Sequence, residues 1–272
     1  MKIHIKKQNT IFGINQYFKP GKAGSFTPGL SILKLTGKPY TFESQKTEVF
    51  IMILKGSMEI TSEENGETFY FKRKSVFEDA PSGLYIPPGA KVTFQAHDES
   101  TEAAICFSSE LYQGKNDNKS LHIYKKDFND STVKMVGSGN YKRKVTTVCG
   151  NNDNTHSLIV GETISEGGMW SSYPPHRHEK NEMPKENKLK EIYYYRLNPV
   201  QGFAFQGIYS EVSGTDSAFI VRDSDAVFIS NGYHPVSAAP GYNLFYLWVL
   251  CGQIPAVSWK VDEKHEWIDK DK

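Results

Sequence analysis

Along most of this chain the hydrophobic positions fall in short runs of valine, isoleucine, leucine, phenylalanine and tyrosine, cut at close intervals by Gly, Pro, Asn and Asp. Such spacing predicts many strands, because β-branched and aromatic side chains suit a pleated surface and turn residues end it. No helical periodicity longer than about two turns breaks the pattern. In the first half the expected strands are Leu30–Leu35, Glu48–Leu54, Ser57–Thr61, Thr68–Phe71, Gly83–Ile86, Lys91–Ala96 and Ala103–Phe107. Glu64-Asn65-Gly66-Glu67 fits a hairpin turn, with Asn-Gly supplying positive φ. The polar, turn-rich stretch Ser109–Asn118 is expected to be an exposed linker. The fold class is all-β.

The two halves repeat one another. EVFIMIL from Glu48 aligns with EIYYYRL from Glu191, and YIPPGAK ending at Lys91 aligns with FISNGYH ending at His234. The interval from Glu to Gly is 41 residues in both halves, Glu48 to Gly89 and Glu191 to Gly232. The chain therefore divides into two expected barrels, residues 1–135 and 136–272. The first has Lys91 where the second has His234, and no His-x-His precedes Glu48. It reads as a duplicate without imidazole ligands.

The second half holds the candidate chemistry. His176 and His178 are two residues apart, which on a strand places both on one face. Glu191 opens the next strand-like run and His234 follows a glycine turn. Three imidazoles and a carboxylate meeting inside a barrel make a divalent-metal site with room for a substrate. Glu179, Glu182 and Glu186, in the polar segment between His178 and Glu191, compete for the carboxylate position. With Glu191 inward, Tyr193 and Tyr195 share its face, while Ile192, Tyr194 and Arg196 point away.

Composition narrows the partners. Lys plus Arg (32) nearly equals Asp plus Glu (31) in 272 residues, so no electrostatic footprint for nucleic acid or an anionic membrane is present. The three cysteines are dispersed, without a CxxC pair, which argues against a disulfide framework or a thiolate zinc site. The amino terminus lacks an apolar signal core and no run reaches membrane-spanning length. A cytoplasmic protein is expected.

The order HxH, then Glu, then His resembles the cupin superfamily, although Glu191 lies 13 residues beyond His178, a longer gap than is usual there. SSYPPHRHE, KEIYYYRLNPVQGFAFQ and ISNGYHPV, with SVFEDAPSGLYIPPG and GNYKRKVTTV before them, resemble the 5-deoxy-glucuronate isomerase family of myo-inositol catabolism. That resemblance spans nearly the whole chain. It implies a bicupin, two jelly-roll barrels in tandem, that converts 5-deoxy-D-glucuronate to 5-dehydro-2-deoxy-D-gluconate. It implies His176, His178, Glu191 and His234 as ligands of a divalent metal, zinc by analogy, with manganese or iron also suited to the set. Tyr193, Tyr195 and Gln206, the last a polar residue ending an apolar run, are the catalytic candidates; each also reads as barrel filling or an edge amide. A small sugar-acid substrate needs a cation, and Arg143, Arg196 and Arg222 are available. Arg143 is favoured, though the cluster Lys142-Arg143-Lys144 also reads as a solvated basic turn. Tyr246 joins Arg143 and Arg222 as a substrate-binding candidate. The alternatives are a 5-keto-4-deoxyuronate isomerase of pectin breakdown, a non-catalytic sugar-acid-binding cupin and a cupin dioxygenase. Sheet-edge association into a homo-oligomer is compatible with such a fold.

Overall fold

The computed structural model describes residues 3–7, 11–111, 121–150 and 153–270. Strands dominate. Among the described residues the helical structure is one α-turn, Trp267–Lys270, and three 3-10 turns. Every strand expected in the first half lies on an observed one, but Glu48–Leu54 and Ser57–Thr61 merge into one long strand, Val49–Ser62. A register shift between Ile53 and Lys55 and the positive φ of 94° at Gly56 bend it, so a single strand serves two faces of its barrel. Of the expected linker, residues 112–118 fall outside the described residues, and Ser109 at its start is buried rather than exposed.

Val49–Ser62 is the hub of a nine-stranded sheet formed by residues of the first half. The second barrel joins a seven-stranded sheet, centred on Leu189–Asn198 and Asn243–Gly252, to a four-stranded sheet containing Phe203–Ser210 and Val236–Ala238. Their inward side chains form one core that includes Tyr193, Tyr195, Ala204, Val236 and Tyr246. The halves interleave. Thr132–Val136 and His4–Ile5, which a division at residue 135 assigns to the first half, are hydrogen-bonded into the second sheet. A third core lies between the barrels, where Phe50, Met52 and Tyr85 meet Ile192, Tyr194 and Phe245. Arg73 crosses this seam to Glu162 at 2.9 Å, both side chains being essentially inaccessible to water.

The seam also exposes the phase of the internal repeat. Glu191 pairs with Ile229 and Leu250. In the first barrel the residue paired with Ile86 and Phe107 is Val49, not Glu48. Gly89 lies three residues after Ile86, as Gly232 lies three after Ile229, so Val49 is the counterpart of Glu191. The equal interval of 41 residues therefore aligned the halves one residue out of register, and a one-residue slip exchanges the two faces of a strand. Val49 points into the first barrel's core. Glu48 points the other way, into the seam, where its carboxylate accepts from the Tyr85 hydroxyl at 2.8 Å and from the Ser157 N–H at 2.9 Å. The first barrel has an apolar side chain where the second has its carboxylate.

Candidate metal centre

Glu191 enters the second barrel from the Leu189–Asn198 strand, whose alternation sends Glu191, Tyr193 and Tyr195 inward and Ile192 and Tyr194 to the seam. His176 sits on a two-residue strand, His176–Arg177, paired with Lys260–Val261 near the carboxy terminus, and His178 follows it. His234 comes two residues after Gly232, whose φ of 92° lets the chain turn back into the barrel. The Glu191 carboxylate lies 3.0 Å from His178 Nε2 and 3.4 Å from His234 Nε2.

Main-chain carbonyls fix the two rings. His178 Nδ1 lies 2.7 Å from the Leu189 oxygen and His234 Nδ1 lies 2.9 Å from the Gly232 oxygen. A carbonyl only accepts, so each Nδ1 carries the hydrogen and each Nε2 faces the cluster, as metal-ligating histidines are held. The His176 ring lies 4.8 Å from the His234 ring, centre to centre. One ligand atom from each of His178, Glu191 and His234 falls within 4.8 Å of the others; His176 lies outside that tightest group.

These donors fit a divalent cation. His234 is fully buried, and its Nε2, although within ion-pair distance of Glu191, makes no hydrogen bond. A buried nitrogen left so is costly unless something occupies its lone pair. Burial takes the His234 pKa down to about 4, against the opposing attraction of Glu191. Burial and the nearby His234, His178 and Arg143 hold His176 well below its usual value. Both imidazoles are therefore neutral, the form that ligates. His178 differs: burial opposes its charge, but the hydrogen bond and charge of Glu191 outweigh burial and raise its pKa.

Glu179, Glu182 and Glu186 stay out of the cluster and shape the loop beside it. Glu186 accepts from the Glu179 and Lys180 N–H groups at 2.6 and 3.1 Å, and Glu179 accepts from the Gly232 N–H at 2.5 Å. The long segment after His178 is thus tied down, with one carboxylate gripping the turn that delivers His234.

A cavity of about 200 Å³ opens onto the cluster, and Arg143, Tyr193 and Tyr246 line it with His176, His178 and Glu191. Tyr193 hydroxyl lies 2.9 Å from Ser172 Oγ, and Tyr246 hydroxyl bonds Ser171 Oγ. Burial, then the charge of Glu191, holds the Tyr193 phenol well above its usual pKa. Arg143 is buried and donates from Nη1 to the Tyr141 and Tyr173 carbonyls at 3.0 and 2.8 Å, which anchors it as a fixed cation rather than a solvated turn residue.

Four other candidates lie elsewhere. Tyr195 and Gln206 are buried in the barrel core away from the cavity, with Tyr195 hydroxyl donating to Gln206 Oε1 at 2.6 Å. Gln206 Nε2 in turn donates to the His234 carbonyl at 3.1 Å, so it braces the chain at His234 instead of facing the cavity. Arg222 is exposed, because its neighbour Val221 takes the inward position on the Thr215–Arg222 strand. Arg196 is spent on Glu102 and Asp223. The cavity also includes residues that periodicity did not single out, Lys134 on the Thr132–Val136 strand and Val257 and Trp259 in the tail. The sequence signal for Trp259 is weak, one of two tryptophans in a carboxy-terminal stretch of mixed polarity.

A family model described as the KduI/IolB family matches residues 4–268. The chain belongs to that family. Over 93% of its length it is 34% identical to the 5-deoxy-glucuronate isomerase of Geobacillus thermodenitrificans (strain NG80-2), of which the match covers 90%. It is 33% identical to the 5-deoxy-glucuronate isomerase of Bacillus subtilis (strain 168), with 86% of this chain and 84% of that one covered. Among solved structures, an IolB-like protein from Salmonella typhimurium LT2 superposes over 99% of this chain and 100% of its own, with a TM-score of 0.88 at 26% identity. An oxalate decarboxylase from Lactobacillus farciminis superposes over 97% of this chain and 89% of its own, with a TM-score of 0.65 at 13% identity. The latter likeness concerns the fold alone, which is a bicupin.

Proposed function

We propose that this member of the family is an aldose–ketose isomerase that converts 5-deoxy-D-glucuronate to 5-dehydro-2-deoxy-D-gluconate in the cytoplasmic breakdown of myo-inositol. One observation carries the reading: a chain alike over most of its length to 5-deoxy-glucuronate isomerases gathers a buried carboxylate and neutral imidazoles at a cavity that also holds a fixed arginine. His176, His178, Glu191 and His234 would hold a divalent cation, zinc in this proposal. A cation there supplies positive charge beside the sugar's carbonyl and adjacent hydroxyl, where negative charge develops as hydrogen moves between neighbouring carbons.

The chain's own groups do the rest. Arg143 faces the sugar acid's carboxylate, a planar partner suited to a guanidinium, and so sets which end of the sugar approaches the cluster. Tyr193, protonated through burial, holds a proton at its phenol oxygen for a developing oxyanion, and Tyr246 contributes a second hydroxyl to the same wall. Tyr195 and Gln206 position His234 from behind. Catalysis is assigned to the second barrel, residues 136–272, and the first, residues 1–135, serves as its packing partner across the apolar seam.

The test is proton NMR of the zinc-loaded protein with 5-deoxy-D-glucuronate in D₂O. The ketose should appear, and deuterium in the product would add that the proton exchanges with solvent through an enediol. No ketose from this substrate, with turnover of 5-keto-4-deoxyuronate instead, would overturn the assignment.

A further inference from the structure

The pairing of Lys260–Val261 with His176–Arg177 brings the carboxy-terminal segment back across the mouth of the cavity. Trp259, at the start of this pairing, has its ring 5.3 Å from that of His176, at 40° to it. It lines the cavity and yet is 49% exposed. A half-exposed indole facing a cavity is poorly explained as core, since its apolar face meets water. The other tryptophan of this cavity, Trp248, is buried and fixed by its indole N–H, which donates to Thr163 Oγ1 at 3.2 Å.

The segment carrying Trp259 is a rigid strap. Asn187, fully buried at the end of the insert between His178 and Glu191, donates from Nδ2 to the Ile254 and Ala256 carbonyls at 2.9 and 2.5 Å. Its own N–H donates to the Ser258 carbonyl at 3.0 Å. Ser258 Oγ donates to the Pro184 carbonyl at 2.6 Å, and the Asp262 N–H to the Pro175 carbonyl at 2.8 Å. The insert that lengthens the interval between the ligands thus holds the strap beside the ligand His176. A platform fixed before binding loses little conformational entropy when a ligand stacks on it.

We propose that Trp259 is a substrate-contacting residue, the aromatic wall against which the C–H face of the bound sugar acid stacks, and that Asn187 is its positioning residue. The inference rests on the isomerase reading for the identity of the sugar acid. The carboxylate end of that ligand lies toward Arg143 and its carbonyl end toward the imidazole cluster, and the less polar ring or chain face between them lies against the indole.

Fluorescence titration with 5-deoxy-D-glucuronate tests this on zinc-loaded wild type, Trp259→Phe, Trp259→Ala and Asn187→Ala, with zinc content and NMR turnover measured on the same samples. In wild type a saturable change in tryptophan emission is expected, and most of it should vanish in Trp259→Phe. KM should rise about tenfold in Trp259→Ala, a value within reach of one aromatic contact, less in Trp259→Phe, and by an intermediate factor in Asn187→Ala, with zinc content unchanged in all. A purely structural role would lower melting temperature and zinc content together without moving KM. Wild-type turnover with the same emission change and KM in both Trp259 variants would overturn the inference. Saturable, Trp259-dependent emission without turnover would uphold it and overturn the isomerase reading instead.

Discussion

Glu191→Gln probes the centre with almost no change of shape, since the two side chains are isosteric and the position is nearly inaccessible. Without metal, the Glu191 carboxylate accepts a hydrogen bond from His178 at 3.0 Å and raises its pKa. A charge-assisted hydrogen bond of this kind is worth about 1.5–3 kcal/mol. Unfolding entropy near 2.1 cal/mol/K per residue gives about 0.6 kcal/mol/K for a chain of this size, so the metal-free variant should melt roughly 3–5 °C lower. The sign with pH follows from the histidine. A raised folded pKa contributes stability that is complete below the unfolded value, near 6.5, and disappears as pH rises through the folded value. The deficit should therefore be larger at pH 6 than at pH 8.5. Zinc at about a thousand times its dissociation constant adds roughly 4 kcal/mol, or about 7 °C by the same conversion, to wild type and far less to the variant. Differential scanning calorimetry at both pH values, with and without zinc, measures all of this. A variant that keeps the whole zinc shift, or whose metal-free deficit grows with pH, would refute the assignment of Glu191 as ligand and partner of His178.

His178→Ala should abolish both zinc binding and turnover, whereas Lys91→Ala, at an exposed position of the first barrel, should leave zinc content unchanged by metal analysis. Gln206→Leu removes the donor to the His234 carbonyl; zinc affinity from competition with a chelator should fall about 10- to 100-fold, the usual effect of losing a group behind a ligand. Glu48→Ala strips the seam of a carboxylate that satisfies the Tyr85 hydroxyl and the Ser157 N–H. With about 1–3 kcal/mol for each buried donor left unpaired, a loss of several degrees in melting temperature is expected at full zinc occupancy, and a zinc-depleted variant would show that the first-half glutamate belongs to a metal site after all.

Much of the molecule was legible in the sequence because β structure writes its two faces in alternate residues. The first-half strands, the inward face of Glu191, Tyr193 and Tyr195, and the shared face of the His-x-His pair all follow from that period. Alternation states the face and not the depth. Four residues of strand span roughly 13 Å, so Tyr195, on the same face as Glu191, lies beyond the cavity with Gln206, and only Tyr193 remains at its wall. Arg143 and Arg222 carried the same charge in the sequence; burial against the Tyr141 and Tyr173 carbonyls separates them. Trp259 could not be found from periodicity, because its place depends on pairing between Val261 and His176, 85 residues apart.

The internal repeat shows the same rule at its most consequential. Matching Glu48 to Glu191 by equal intervals implies that the first barrel kept its carboxylate and lost only its histidines. Strand pairing instead places Val49 at that position, where it packs in an apolar core, while Glu48 serves the seam. Inside the first barrel an unpaired carboxylate would be costly to bury, and among the described residues no imidazole cluster lies there to offset it. Facing the seam, the same residue is satisfied by donors from Tyr85 and Ser157, one from each half. Across the seam the polar contacts, Glu48 with Ser157 and Arg73 with Glu162, give the docking of the two barrels directional partners that apolar surfaces alone lack.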